Sequence, residues 1–159
     1  MTVRQLLART PQLSEEYVLT LGAAVYYFSL AEWMAVYCCE AMHAGYVRDV
    51  ANKDLKITAR NIAEKLISLT KKLPTSAEQQ HLLIASETFL ALVTDERNNL
   101  LHSYPAAVEN NAVLHNPKIH RTFSIAELEE YARQSFDCNH ALNTSYYKFL
   151  RPSNSHVGP

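Results

Sequence analysis

The chain predicts an all-α fold, an up-and-down bundle of four main helices with a short loop or hairpin inserted before the last one. Three observations carry that prediction. Of 159 residues only 3 are glycine and 6 are proline, too few turn-formers for a β-rich architecture. Hydrophobic residues make up 48% and charged residues 19%, a composition that folds around a core rather than staying disordered. Apolar residues also recur at helical spacing through long stretches. The length suits a single domain over residues 1–150 and a flexible tail over 151–159.

Met1 to Leu13 reads as a short helix or a loose arm. Ser14-Glu-Glu-Tyr then reads as an N-cap followed by acids in a first turn. The first long helix runs from there to about Gly45, which can serve as its C′ residue. It is apolar on nearly every side, so it should be buried on nearly every side. In so short a chain that demands a full wrap of other helices or a second subunit. Leu21 to Cys39 is about long enough to span a bilayer. Its Glu32 and tyrosines, the lack of basic flanks, and Glu15 and Glu16 ahead of it argue instead for a central buried helix. They argue against a membrane span and a signal peptide. Glu32 is the ionisable residue in the middle of this run, where a carboxylate is costly unless paired.

The second helix should cover about Asp54 to Leu73, with Leu55, Ile62, Leu66 and Leu69 as its apolar stripe. Lys53, Lys56 and Arg60 fall on one face at its start, either a solvated face or a ridge for phosphates. Pro74 breaks the pattern, and Thr75-Ser-Ala-Glu78 is a capping box in sequence. The third helix runs from about Ser76 to His102. Leu82, Phe89, Val93 and Leu100 form its core stripe, and Leu83, Leu90 and Leu101 widen it. Pro105 stops it. Tyr104 to Thr122 should be a loop or a small hairpin around Asn110-Asn111. Ser124-Ile-Ala-Glu127 is a second capping box. The last helix then runs to about Leu150, with Ile125, Leu128, Tyr131, Phe136 and Leu142 inward.

The chemistry collects at Asp95-Glu-Arg-Asn-Asn-Leu-Leu-His-Ser-Tyr-Pro105. Arg97 and His102 stand in an R-x-x-x-x-H arrangement that closes the third helix, whose terminal carbonyls favour a cation. An arginine fork matches two oxygens of a phosphate. An imidazole titrates near neutrality and suits proton transfer. An RNA phosphodiester is a natural substrate for such a pair. Asn98 and His102 are four apart, so the amide can orient the ring or the phosphate. Alternatively Arg97 pairs with Glu32 or Glu96, and His102 merely ends the helix. A looser copy, Arg133 and His140, lies seven apart on one face of the last helix and reads as an exposed pair.

The formal net charge is -1, which excludes bulk electrostatic binding of nucleic acid and requires a local patch. Cys38, Cys39 and Cys138 are odd in number, fit no zinc spacing and include an adjacent pair ill-suited to a disulfide. They fit a reducing cytoplasm. His115, Lys118, His120 and Arg121 fit no recognised zinc pattern. They read better as a solvated basic loop that can brush RNA. No metal or cofactor is expected.

At R97-N98-N99-L100-L101-H102 the chain resembles the HEPN superfamily, whose hallmark is R-x-x-x-x-H closing a helix of an α-helical bundle. The apolar first helix with its acid, F28-S-L-A-E32-W-M, and a last helix opening S124-I-A-E-L fit the same pattern. The resemblance implies a metal-independent endoribonuclease of the toxin or antiviral-defence type. It implies a homodimer in which both motifs meet across a groove, although some members of the family serve only as catalytically inactive binding modules. It assigns Arg97 and His102 as catalytic and Asn98 and Glu32 as supporting residues. R-x-x-x-x-H-x-Y, ending at Tyr104, is similar to HEPN toxins whose nucleotidyltransferase antitoxin adenylylates that tyrosine. The loop after Pro105 is longer than in that subgroup. Otherwise Tyr104 is a helix-end aromatic packed on the hairpin.

Overall fold

A computed structural model describes residues 14–108 and 111–151. The expected N-terminal arm, the Asn110 turn and most of the expected tail lie outside these residues.

Helix α1 (Glu15–Met42) starts where the Ser14 hydroxyl accepts from the Tyr17 amide at 3.0 Å, satisfying one of the free amides of the first turn. It ends before Gly45. That glycine has φ +94 and opens α2 (Tyr46–Ala51) instead of closing α1. The Glu40 carboxylate accepts from the Gly45 and Val47 amides at 2.9 and 2.8 Å. Those bonds hold its carboxyl below the usual range.

A 3₁₀ turn at Lys53–Leu55 precedes α3 (Ala59–Thr70). The expected start near Asp54 is therefore too early. Thr58 and Asn61 cap α3 reciprocally, a box built with asparagine where the sequence rule looks for Glu or Gln. Leu55 is consequently exposed. Lys53 belongs to the turn, Lys56 follows it as its C-cap and Arg60 belongs to the helix, so the three share no helix face. Arg60 pairs with Glu64 at 2.8 Å.

Helix α4 (Ala77–Ala91) is capped by Ser76, whose hydroxyl accepts from the Gln79 amide at 3.1 Å. The cap thus sits one residue later than the box read from Thr75. The Gln79 side chain donates to the Thr70 carbonyl at 3.2 Å and clasps α3 to α4. The helix continues through a wide π turn at Leu92–Arg97 into α5 (Asn98–Leu101).

Strands β1 (Tyr104–Val108), β2 (Asn111–Asn116) and β3 (Arg121–Phe123) follow as an antiparallel sheet in that order. The insertion is therefore a three-stranded sheet, and the chain is mostly helical rather than all-α. Tyr17 pins the sheet to α1. Its hydroxyl donates to the Phe123 carbonyl at 2.8 Å and accepts from the Leu114 amide at 2.9 Å. Helix α6 (Ile125–Ser145) opens on the Ser124/Glu127 capping box and ends in a π turn at Tyr146–Leu150.

Helices α1 and α6 run in the same direction. Tyr17 meets Phe123 at one end, and the Cys38 thiol donates to the Leu142 carbonyl at 3.7 Å at the other. Between them Phe28 packs on Tyr131 and Tyr27 on Phe136. Helix α4 runs against α6, with the Cys138 thiol donating to the Ala85 carbonyl. A simple up-and-down order would oppose its first and last helices. Here the pair is parallel, and the sheet supplies the return between α5 and α6. The core gathers Phe28, Leu66, Leu82, Phe89, Leu128 and Leu142.

Of the two ways to bury α1, a full wrap by the chain's own helices is not what forms. Ala24, Phe28, Ala31, Ala35, Val36, Cys38 and Cys39 face the core. Leu19, Tyr26, Leu30, Trp33 and Tyr37 are exposed along the other side. In its most apolar 18-residue window only 22% is buried, because α3, α4 and α6 pack on one side alone. By length and composition, with a mean hydropathy of 1.3, α1 also qualifies to cross a membrane. Phe136, expected inward on α6, is half exposed against Tyr27.

Candidate active site

The motif begins inside the π turn. Such a turn takes up an extra residue and rotates the rest of the helix relative to a plain α ladder. Thr94 favours it locally, because its hydroxyl donates to the Leu90 and Ala91 carbonyls at 3.1 and 3.3 Å and competes with the backbone ladder. The rotation turns Arg97 inward. A cavity of about 120 Å³ opens there, lined by Val25, Phe28, Ser29 and Glu32 of α1, by Arg97, Leu100 and Leu101, and by Tyr131 of α6.

Arg97 is half-buried. Its Nη1 donates to Asn98 Oδ1 at 3.1 Å, and its guanidinium carbon lies 6.0 Å from the Phe28 ring centroid, the outer edge of a cation–π contact. Among the described residues it forms no ion pair within 4 Å, neither with Glu32 nor with Glu96. Glu96 is held instead by Arg121 at 3.2 Å. Glu32 lines the same cavity as Arg97. Burial pushes its carboxyl up, and the Arg97 charge partly offsets that. The structure thus brings together two predicted residues that are far apart in sequence.

His102 is placed differently. It is the exposed C-cap of α5, and its amide donates to the Asn98 carbonyl at 3.2 Å. Five residues at about 100° each put it roughly 140° around the helix from Arg97. It does not line the cavity, and among the described residues no hydrogen bond joins its ring to Arg97 or Asn98. The Asn98 amide serves the arginine. One chain therefore presents the fork and the imidazole on different sides of one helix end.

Tyr104 stands half-exposed at the start of β1, with its ring 5.7 Å from that of His115 in an edge-to-face arrangement. Arg121, expected as a free basic residue, is tied to Glu96 and Glu127, both at 3.2 Å, and lies over the Phe123 ring at 4.8 Å. Lys118 and His120 remain exposed in the β2–β3 turn. Among the described residues no three potential ligands gather around a metal position.

Two neighbours of the motif were not singled out from sequence. Tyr131 had been read only as core. It lines the cavity, and its buried hydroxyl, like that of its neighbour Ser135, has no well-formed hydrogen bond. Asn116 is almost wholly buried. Its Nδ2 donates to the Asn99 carbonyl at 2.8 Å, and its Oδ1 accepts from the Lys118 amide at 3.0 Å. Polar side chains amid apolar spacing were the available signal for both.

The second copy makes no site. Arg133 is exposed and held by Glu130 at 2.6 Å and Asp137 at 2.9 Å. A larger cavity of about 450 Å³ lies on the α4–α6 seam, lined by His81, Ile84, Asp137, Cys138 and others. Its floor is apolar and it holds no free arginine. No protein-family model matches the chain, and no curated protein or solved structure is significantly similar to it.

Proposed function

We propose that the protein is a cytoplasmic, metal-independent endoribonuclease of the HEPN type, working as a homodimer in a toxin or defence system. The observation that carries this reading is Arg97. It is half-buried at a bulged helix end, it has no carboxylate partner among the described residues, and it lines a cavity with Glu32 one turn ahead of an exposed histidine. Arg60, Arg121 and Arg133 are held in ion pairs, and Arg48 and Arg151, which form none among the described residues, are exposed, whereas Arg97 is half-buried.

The 2′-hydroxyl of RNA is the nucleophile. Its oxygen bonds to the adjacent phosphorus and the bond from phosphorus to the 5′-oxygen breaks, leaving a 2′,3′-cyclic phosphate and a free 5′-hydroxyl. His102 takes the proton from the nucleophile, gives one to the leaving oxygen, or does each in turn across two copies. Arg97 stabilises the charge developing on the non-bridging oxygens. Asn98 steadies the fork, and Glu32 orients it from across the cavity.

The separation of Arg97 from His102 within one chain favours a shared site. Tyr26, Leu30, Trp33 and Tyr37 recur at helical spacing on the open side of α1, and Val25 and Leu101, both exposed, border the same cavity. A second copy covering that stripe buries a patch that would otherwise invite aggregation. It also brings a second Arg97/His102 pair to the seam. The same separation equally suits a catalytically inactive binding module, if no second copy completes the site. Tyr104, half in solvent, is accessible to an adenylylating antitoxin. The test is to incubate the purified protein with RNA in EDTA: fragments ending in cyclic phosphate are expected, and intact RNA at every protein concentration overturns the enzyme reading.

A further inference from the structure

We infer that the outer face of the three-stranded sheet is a platform for single-stranded RNA, delivering the strand to His102. The inference rests on the ribonuclease reading for the identity of its partner and on the sheet's own geometry for its location. Side chains alternate along a strand. Leu114, Asn116, Arg121 and Phe123 face the helices, where Phe123 and Asn116 are buried and Arg121 meets Glu96. The opposite face carries a cross-strand row of Tyr104, His115 and Thr122. Tyr104 is 50% exposed on it, with the His115 ring beside it. Two adjacent rings on a sheet face offer unpaired bases a surface to stack on.

The charge fits the same partner. From Tyr104 to Phe123 the chain holds Lys118, Arg121, His115 and His120 against one acid, Glu109. Arg121 is spent on Glu96 and Glu127, but Lys118 is exposed and forms no ion pair among the described residues. Both ends of the turn carrying Lys118 and His120 are fastened to the motif helix, by Asn116 to the Asn99 carbonyl and by Arg121 to Glu96. The turn is therefore held beside the helix that ends in His102, and Tyr104 follows His102 by two residues. A strand stacked on Tyr104 and held at its phosphates by Lys118 passes the imidazole.

The test is the affinity of the full-length protein, with His102→Ala to block turnover, for a fluorescein-labelled single-stranded RNA of about ten nucleotides, read by anisotropy over a salt series. Adding Tyr104→Ala should weaken binding about 5- to 150-fold, the range for one stacked base. Tyr104→Phe should restore it and so excludes a merely misfolded sheet. Lys118→Ala should flatten the salt slope by roughly 0.7, one single-strand phosphate contact. Unchanged affinity in Tyr104→Ala overturns the platform, as does an absence of binding altogether or equal affinity for duplex RNA. Binding that depends on Tyr104 in a wild-type protein that never cleaves keeps the platform and sinks the nuclease. Cleavage whose KM ignores Tyr104→Ala does the reverse.

Discussion

Arg97 and Arg133 are the same side chain, each followed by a histidine further along its helix, and they stand in opposite environments. Arg133 lies on the straight, solvated face of α6 between two carboxylates. Arg97 lies where the helix widens, half-buried against Phe28, and among the described residues it bonds only to the neighbouring Asn98 amide. The residue with more bonds is the one with less left to offer a substrate. A guanidinium already neutralised by two acids cannot stabilise a phosphate without releasing them. An unpaired one in a small cavity is poised to do so.

The largest expected effect breaks the comparison outright. His102→Ala and Arg97→Ala should each reduce RNA cleavage by about a hundredfold or more, the typical loss for a general acid or base and for a group that stabilises transition-state charge. Melting temperatures should stay close to wild type, because His102 is exposed and Arg97 has no ion pair to lose among the described residues. Normal cleavage by either variant would move the site elsewhere. Next comes assembly. Trp33→Glu puts a charge in the middle of the open stripe of α1, so dimer and activity should be lost together while Trp33→Phe keeps both. Light scattering at micromolar concentration decides it, and a stable, fully active Trp33→Glu monomer would confine the site to one chain.

What the sequence made legible follows from the range of the interactions. Ser14 and Ser124 cap their helices as read, because a cap is settled within four residues. Leu82, Phe89, Val93 and Leu100 are buried as their spacing required. The exposed side of α1 was not legible, since a helix apolar all round carries no mark of which side its neighbours take. The direction of α6 relative to α1 was hidden too, because it is fixed by contacts such as Tyr17 to Phe123 across most of the chain. The π turn has no residue pattern of its own. Glu32 could be named as a costly buried acid, and its closeness to Arg97 needed the fold.

A smaller effect tests whether Glu32 belongs to Arg97. Burial holds the Glu32 carboxyl above its usual range, and Arg97 offsets this in part. The folded state therefore keeps the proton to a higher pH than the unfolded chain does. Stability should fall as pH rises from the ordinary carboxylate range through the raised folded value, and the deficit is constant above both. Glu32→Gln removes that dependence. Its melting temperature should gain on wild type across this window and then run parallel to it. If the carboxylate also orients the fork, cleavage slows by about tenfold. Melting profiles parallel from pH 4 upward would detach Glu32 from this account.

The smallest effect belongs to the copy with the most contacts. Arg133 is 61% exposed, and its partners Glu130 and Asp137 are 48% and 58% exposed. Solvent-exposed ion pairs gain little because water screens them and two long side chains must be held still. Both pairs also lie within one helical turn, so they tie α6 to nothing beyond itself. Arg133→Ala should therefore leave the melting temperature, the dimer and RNA cleavage unchanged, and so should His140→Ala on the same exposed face. The measurement that matters is the cleavage rate beside that of Arg97→Ala under identical conditions. A loss in Arg133→Ala matching that of Arg97→Ala, with the fold intact, would mean that the exposed face of α6 contacts the substrate. The unpaired state of Arg97 would then no longer identify the catalytic arginine.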